Sequence, residues 1–353
     1  MDLNIFGSRL RSARLIAGLT LEELSERINK EVTKQALSKY ENGLMQPSSL
    51  VLNHLSDALD LKVDFFLKDT LIKFKAIEYR KSRHLSKKDE EVILESARVY
   101  YENYSEIETI LGISTSFSNP LKNDLIDNEI DVENAAGKLR EYWKLGVQPI
   151  SNLIEMLENV GIKIYTIDHG DSIDGIAIEV DGGAPLVIIN TADKPLERIR
   201  FTIIHELAHI LLNFTNRVKS NIKLMEKLCH YFASCFIIPK SSLLKLIGGK
   251  KRNYIKIEEL IRIKEYYGIS IRALVYRLKQ IGIISENYYK RWTIWLNNTF
   301  TRKGEPGNYL GREESSNFMQ LIDRALSEGL ISLSKAASLT NLSINQLKAQ
   351  PFG

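Results

Sequence analysis

Apolar positions recur at helical spacing through most of the chain and at strand spacing in one short region. Phe6, Leu10, Ala13, Leu15 and Ile16 mark a first amphipathic helix, ended by Gly18. Thr20 and Glu23 stand at capping-box spacing and open a helix over 21–28. Thr33 caps a third over 34–41, stopped by Asn42 and Gly43. Pro47 opens a fourth, which offers Leu50, Leu52, Leu55 and Leu59 to a core, and 63–67 closes the unit. Residues 73–80 alternate in polarity as a short strand does. A long helix over 89–111 follows, then a loop rich in Ser, Asn and Pro over 114–127, then scaffold helices over 132–143 and 150–159.

The period then shortens. Residues 162–167, 174–180 and 186–190 read as three strands, the last two joined by a turn at Gly182 and Gly183. They lead into an apolar helix that contains 201–212. An exposed linker over 213–223 separates it from a second apolar helix, which contains 226–238. Helical pairs occupy 260–279 and 316–347. The pattern predicts an α+β chain, mostly helical, in four parts. These are an all-α domain over 1–67, a helical linker or scaffold over 68–129, a domain with a small antiparallel sheet over 130–245, and a helical region over 246–353.

Composition narrows the class. At 44% hydrophobic and 26% charged residues the chain is globular rather than disordered. No apolar run approaches the ~20 residues of a membrane span, and Met1-Asp2-Leu3-Asn4 does not open a secretory signal. The expectation is a cytoplasmic protein without a membrane partner. Cys229 and Cys235 read as buried thiols of a reducing compartment. The net charge of +4 is mild, and residues 1–67 hold eight Lys or Arg against nine Asp or Glu. The basic run over 80–84, with Lys87 and Lys88, reads as a solvated loop rather than a phosphate contact.

The chemistry concentrates at His205-Glu206-Leu207-Ala208-His209. On a helix the two histidines stand one turn apart on one face, within reach of one metal ion. Glu206 sits beside them, where it can accept a proton from an activated water. In zinc peptidases this spacing supplies two ligands and the general base, and a third protein ligand is needed. Glu226 and His230, at i and i+4 on the second apolar helix, can each supply it. Arg198 and Arg200 precede the motif; one of them is expected to pair with a scaffold acid.

Two resemblances extend this reading. Leu19-Thr20, Glu22-Glu23-Leu24, then Ala36 with Ser38-Lys39-Tyr40-Glu41-Asn42-Gly43 and Pro47 resemble the lambda-repressor-like (Xre-type) helix-turn-helix family. The resemblance implies that the helix from Lys34 enters the major groove of an operator in double-stranded DNA. Lys34, Gln35 and Lys39 then face base edges, and Ser38 and Arg11 face phosphates. Two departures are Leu21, where the family usually has a polar residue, and a longer turn over 29–32. With no basic excess a single copy binds weakly, so a homodimer is expected.

The stretch from Arg198 to His209, with Glu226, Phe232-Ala233 and Ile237-Ile238-Pro239, resembles the ImmA/IrrE family of zinc peptidases. It implies a zincin-like domain that binds Zn2+ through His205, His209 and Glu226. Glu206 is then the base, with His230 beside the ion or stabilising the transition state. Family members cut an Xre-type repressor under stress, often on mobile elements. The implied function is a DNA-binding regulator with a zinc endopeptidase that cuts a partner repressor or its own linker over 68–90. The alternative is a non-proteolytic DNA-binding regulator or antitoxin-like protein whose zinc domain senses or is inactive. The pair over 260–279 resembles a second helix-turn-helix, in which Arg272, Arg277 and Lys279 are phosphate candidates beside a packing role. The last pair, 331–347, carries few bases, so an interaction or packing role is expected rather than DNA binding.

Overall fold

A computed structural model describes residues 2–68, 72–78, 85–113, 116–170, 173–300 and 304–349. The elements are given in chain order. Helices α1 (Leu3–Ile16), α2 (Leu21–Arg27), α3 (Lys34–Glu41), α4 (Ser49–Leu59) and α5 (Val63–Leu67) come first. Strand β1 (Phe74–Glu78) and helix α6 (Lys87–Ile110) follow. Next are β2 (Leu125–Ile126), α7 (Glu129–Tyr142), α8 (Leu153–Asn159), β3 (Lys163–Ile167), β4 (Gly175–Val180) and β5 (Leu186–Asn190). Then come α9 (Leu196–Leu211), β6 (Asn213–Phe214), α10 (Asn216–Lys219) and α11 (Ile222–Ile237). Helices α12 (Lys240–Ile247), α13 (Ile257–Tyr267), α14 (Ile271–Gln280) and α15 (Glu286–Thr299) lead to α16 (Asn317–Ser327), α17 (Leu333–Thr340) and α18 (Ile344–Ala349). None of the described helices is long and apolar enough to cross a membrane.

The chain forms two compact units. One comprises Met1–Lys73, Ser82–Thr115 and Asn317–Gly353; the other comprises Phe74–Lys81 and Ser116–Ser316. In the first unit, α1 to α5 enclose Phe6, Leu10, Leu24, Leu37, Leu55 and Phe66, all fully buried. The capping box of Thr20 and Glu23 forms at the start of α2. Asn29 and Lys30 both take left-handed φ, 54° and 61°, which accounts for the long turn before α3. At Gly7 helix α1 crosses α3 closely, since a Cβ there would lie 2.5 Å from the Glu41 carbonyl oxygen. Arg14 grips Glu41 with two hydrogen bonds, at 2.6 and 2.8 Å, and fixes the same crossing.

The other side of α1 packs on α6. Arg9 and Glu102 form a buried ion pair there, and the Ser12 hydroxyl donates to Glu95. Helices α16 and α17 cover α6 around Ile107, Ile322, Ala325, Ala336 and Leu339. The Asn103 amide donates to the Leu339 carbonyl at 2.9 Å. The last helical pair therefore has the packing role that its sequence suggests.

In the second unit the sheet order is β1-β4-β5-β3. The sheet is mixed, where an antiparallel one was expected. β4 pairs antiparallel with β1 and β5, but β3 runs parallel to β5. The cause lies at the end of β5. Asn190, 1% exposed, donates to the carbonyls of His169, Gly170 and Ile173 and accepts from the amides of His169 and Ala192. It pins the connection that leaves β3 to the end of β5, so β3 and β4 do not form a hairpin. β5 is buried along its whole length, as its unbroken apolar run predicts.

Two other expectations change. Residues 213–223 are not simply an exposed linker. They contain β6 and α10, and Phe214 and Val218 are buried. The stretch expected as a loop over 114–127 includes β2, which pairs in parallel with β6, and the buried Leu121. The basic run over 80–84 lies outside the described residues.

Candidate metal centre

Helix α9 starts after Pro195, whose φ of −59° suits a helix entry, and carries Glu197 in its first turn. Ile199, Ile203, Ile204, Leu207, Ala208 and Leu211 are buried in the main core. The 3.6-residue period then turns His205 and His209 together towards α11. On α11, Leu228, Phe232, Cys235 and Phe236 form the apolar stripe and are buried. Its contact with α9 brings Glu226 to the two histidines.

The three side chains meet. His205 Nε2 and His209 Nε2 are 3.3 Å apart. Glu226 Oε2 lies 3.4 Å from His205 Nε2, and Oε1 lies 3.5 Å from His209 Nε2. Zinc bonds of about 2.0–2.1 Å in tetrahedral geometry require donors about 3.3–3.4 Å apart. Two imidazoles and a carboxylate are also a donor set zinc prefers. The residues fit such an ion. His205, Glu226 and His230 form a looser set, with ligand atoms within 4.8 Å of one another. The set with His209 is the more closely spaced of the two.

His230 stands over this cluster. Its ring is 4.3 Å from that of His205 and stacks on Phe201 at 5.7 Å. His209 Nδ1 lies 3.8 Å from the Cys229 thiol. His205 Nδ1 is buried without a hydrogen-bond partner among the described residues. Glu206 is 4% exposed. It is held under β4 at Gly175, where a Cβ would lie 2.8 Å from Glu206 Cγ and 3.2 Å from the Ile188 carbonyl oxygen. An open groove of about 830 Å³ adjoins the cluster, bordered by Phe201, Ile222, Glu226, His230, Arg272 and Tyr276.

Ion pairs frame the centre. Both arginines before the motif pair with acids: Arg198 donates to Asp174 at 2.8 Å, and Arg200, 1% exposed, pairs with the buried Glu313. Burial pushes the Asp174 carboxyl up, but Arg198 and Lys194 more than reverse this and hold it below its ordinary value. Behind α11, Arg277 is fully buried and donates to Glu133 of α7 at 2.6 and 2.7 Å. Its guanidinium also lies over the Tyr231 ring. Burial raises the Glu133 carboxyl, and Arg277 more than offsets it, so the group stays ionised. Burial pushes the Cys235 thiol up, keeping it neutral. Arg277 is thus a buried clamp and not a phosphate contact, and Arg272 is tied to Glu305.

At the amino-terminal end, Lys34, Gln35 and Lys39 are exposed on α3, and Arg11 is exposed on α1. Lys34 pairs with Glu22 across the turn. Ser38 accepts from the Asn42 amide at its carbonyl, 2.7 Å away.

The chain thus joins a helix-turn-helix domain to a domain built on a His-Glu-x-x-His helix. Residues 157–279 match the IrrE N-terminal-like domain, and residues 10–66 match the helix-turn-helix family. The chain is also 33% identical, over 70 residues, to the SPbeta prophage-derived uncharacterized HTH-type transcriptional regulator YonR of Bacillus subtilis (strain 168). That alignment takes in 20% of this chain and 63% of the relative's length.

Sequence reasoning overlooked two residues that shape the centre. Gly175 leaves room for the Glu206 side chain. Asn190 holds the end of β5. Gly175 opens β4 beside Asp174, and a glycine inside an apolar strand is the one available signal of close approach.

Proposed function

We propose that the protein is a cytoplasmic DNA-binding regulator whose second unit is a zinc-dependent endopeptidase acting on an Xre-type repressor. The observation that carries this is the triangle of His205, His209 and Glu226 donors, 3.3 to 3.5 Å on a side, with Glu206 next to it in sequence. These three side chains would hold the ion. When bound, zinc would polarise the scissile carbonyl and acidify a water. Glu206 takes the water proton and passes it to the departing amine. Its cover by Gly175 keeps the carboxylate aimed. His230, over the His205 ring and open to the groove, donates a hydrogen bond to the oxyanion that develops.

The regulator half reads an operator through α3. Gln35 and Lys39 face base edges, Lys34 joins them by leaving Glu22, and Arg11 and Ser38 meet phosphates. Without a basic excess in residues 1–67, two copies act together as a homodimer.

The deciding experiment combines metal analysis with mass spectrometry. Zinc-loaded protein is incubated alone and with a repressor encoded beside it, as wild type and as Glu206→Gln. The wild type should give defined fragments; the variant should hold the same zinc and give none. Equal fragmentation by both would remove Glu206 as the base. Stable substrates with full zinc occupancy, and operator binding unchanged in the variant, would favour the non-proteolytic regulator.

A further inference from the structure

β1 is a strand on loan. Residues on both sides of it belong to the first unit, yet Phe74 to Glu78 completes the sheet of the second. It pairs antiparallel along β4, with Phe74 opposite Val180, Ile77 opposite Ile178 and Glu78 opposite Ala177. This ladder is irregular between Phe74 and Ala76, whereas the pairing of β5 with β3 and with β4 runs in unbroken register. β4 continues two residues past Ala177 to Gly175, the residue against Glu206. The edge that β1 covers therefore runs up to the general base, and β1 points along it towards that base.

A bare strand edge offers a row of backbone donors and acceptors and binds extended peptide by strand addition. We propose that the outer edge of β4, Ile176 to Val180, is the seat for the substrate backbone, and that β1 holds this seat in cis. The ligand is an extended peptide segment antiparallel to β4, its carboxy-terminal direction leading to Glu206. A substrate from another molecule binds only after β1 leaves. The tether gives β1 an effective concentration of order millimolar against any competitor, so a free peptide of equal intrinsic affinity displaces it only at comparable concentrations. This inference rests on the peptidase reading, but its test needs neither metal nor turnover.

The probe is a fluorescent synthetic peptide copying residues 72–86, titrated by anisotropy into full-length metal-free protein. Successive N–H groups on a strand point to opposite sides, so Ala76→Pro with Ile77→Pro removes a β4-facing donor whichever residue supplies it. The double variant should bind the peptide at least tenfold more tightly than wild type. A peptide carrying the same two prolines should not bind. Equal affinity of wild type and a variant with unchanged melting temperature would overturn the proposal.

A second pair guards against misfolding. Residues opposite each other in an antiparallel pair lie about 4.5–5.5 Å apart at Cα, within disulfide range. Glu78→Cys with Ala177→Cys should lock β1 when oxidised and abolish peptide binding, and phosphine reduction should restore at least the wild-type level. Peptide binding unaffected by the lock would overturn the seat. Absence of fragments from the zinc-loaded wild type, with these binding results intact, would instead remove the peptidase reading alone.

Discussion

Gly175 on β4 and Glu206 on α9 pack so closely that a methyl group on the glycine would lie 2.8 Å from Glu206 Cγ and 3.0 Å from Thr202 Cγ2. The glycine is needed for space and not for backbone freedom, because its φ lies outside the positive range in which L residues are strained. A small residue in the sheet thus sets the depth of the Glu206 carboxylate.

Gly175→Ala should fold and bind zinc as the wild type does, but push the Glu206 side chain aside. Displacements near 1 Å at a reacting group cost about 10²-fold in rate. The expected result is a 10- to 100-fold loss of kcat with unchanged metal content, measured by steady-state cleavage and elemental analysis. An unaltered kcat would mean that the carboxylate does not work from this position.

Ligand and non-ligand histidines separate by metal content. His205→Ala, His209→Ala and Glu226→Gln should each lower bound zinc well below one equivalent and remove the fall in melting temperature that a chelator causes in wild type. His230→Gln should keep its zinc while kcat falls by roughly 10²- to 10³-fold, the scale of losing one oxyanion donor. Loss of zinc from the His230 variant would make that residue a ligand.

Burial pushes the Glu158 carboxyl up to about 7, although the Ser315 hydroxyl and Lys163 favour its charged form. The native state therefore holds this proton more tightly than the unfolded chain, whose carboxyl titrates near 4.5. The stabilisation is complete below the unfolded value and is lost as pH rises through about 7. A shift of this size corresponds to a few kcal/mol, to order of magnitude. Glu158→Gln keeps an acceptor for Ser315 without the titration. Denaturation of the two proteins between pH 5 and 8 should show a shallower decline in the variant. Parallel curves would contradict the assignment.

Gln35 and Arg11 should affect DNA binding in different ways. Gln35→Ala is expected to cost about 1–3 kcal/mol and relax preference at one adenine-containing position. Arg11→Ala should weaken all sequences alike and reduce the salt slope by about one. Lys39→Ala should resemble the Gln35 variant; behaviour like the Arg11 variant would move Lys39 from base to phosphate. Affinity measured on an operator and on scrambled duplex at several salt concentrations separates these outcomes.

Local features were legible in the sequence because they are written within one helix turn. The capping box at Thr20, the stop at Gly43 and the facing of His205 and His209 all follow from spacings of three or four residues. Glu226 needed a resemblance, since nothing in its own helix says that α11 lies against α9. Long-range choices stayed hidden. The parallel placement of β3 depends on Asn190, which reads as an ordinary strand end. Arg200 meets Glu313, 113 residues away, and the choice of that acid over nearer ones is made by packing. The sequence favours packing for the pair that carries Arg277 but leaves a phosphate contact open, because a buried clamp and a phosphate contact use the same residue type.

The contact of α1 with α6 has a consequence for any cut made between them. Arg9 with Glu102 and Ser12 with Glu95 join residues on either side of the connection that contains β1. A break there would not by itself free the DNA-binding helices. It would leave a nicked but assembled pair, and the bond between its halves would become bimolecular and dilution-dependent. The DNA-binding fragment would then respond to the cellular concentration of its own remainder, so the same cut could be silent in a crowded cell and decisive after dilution by growth.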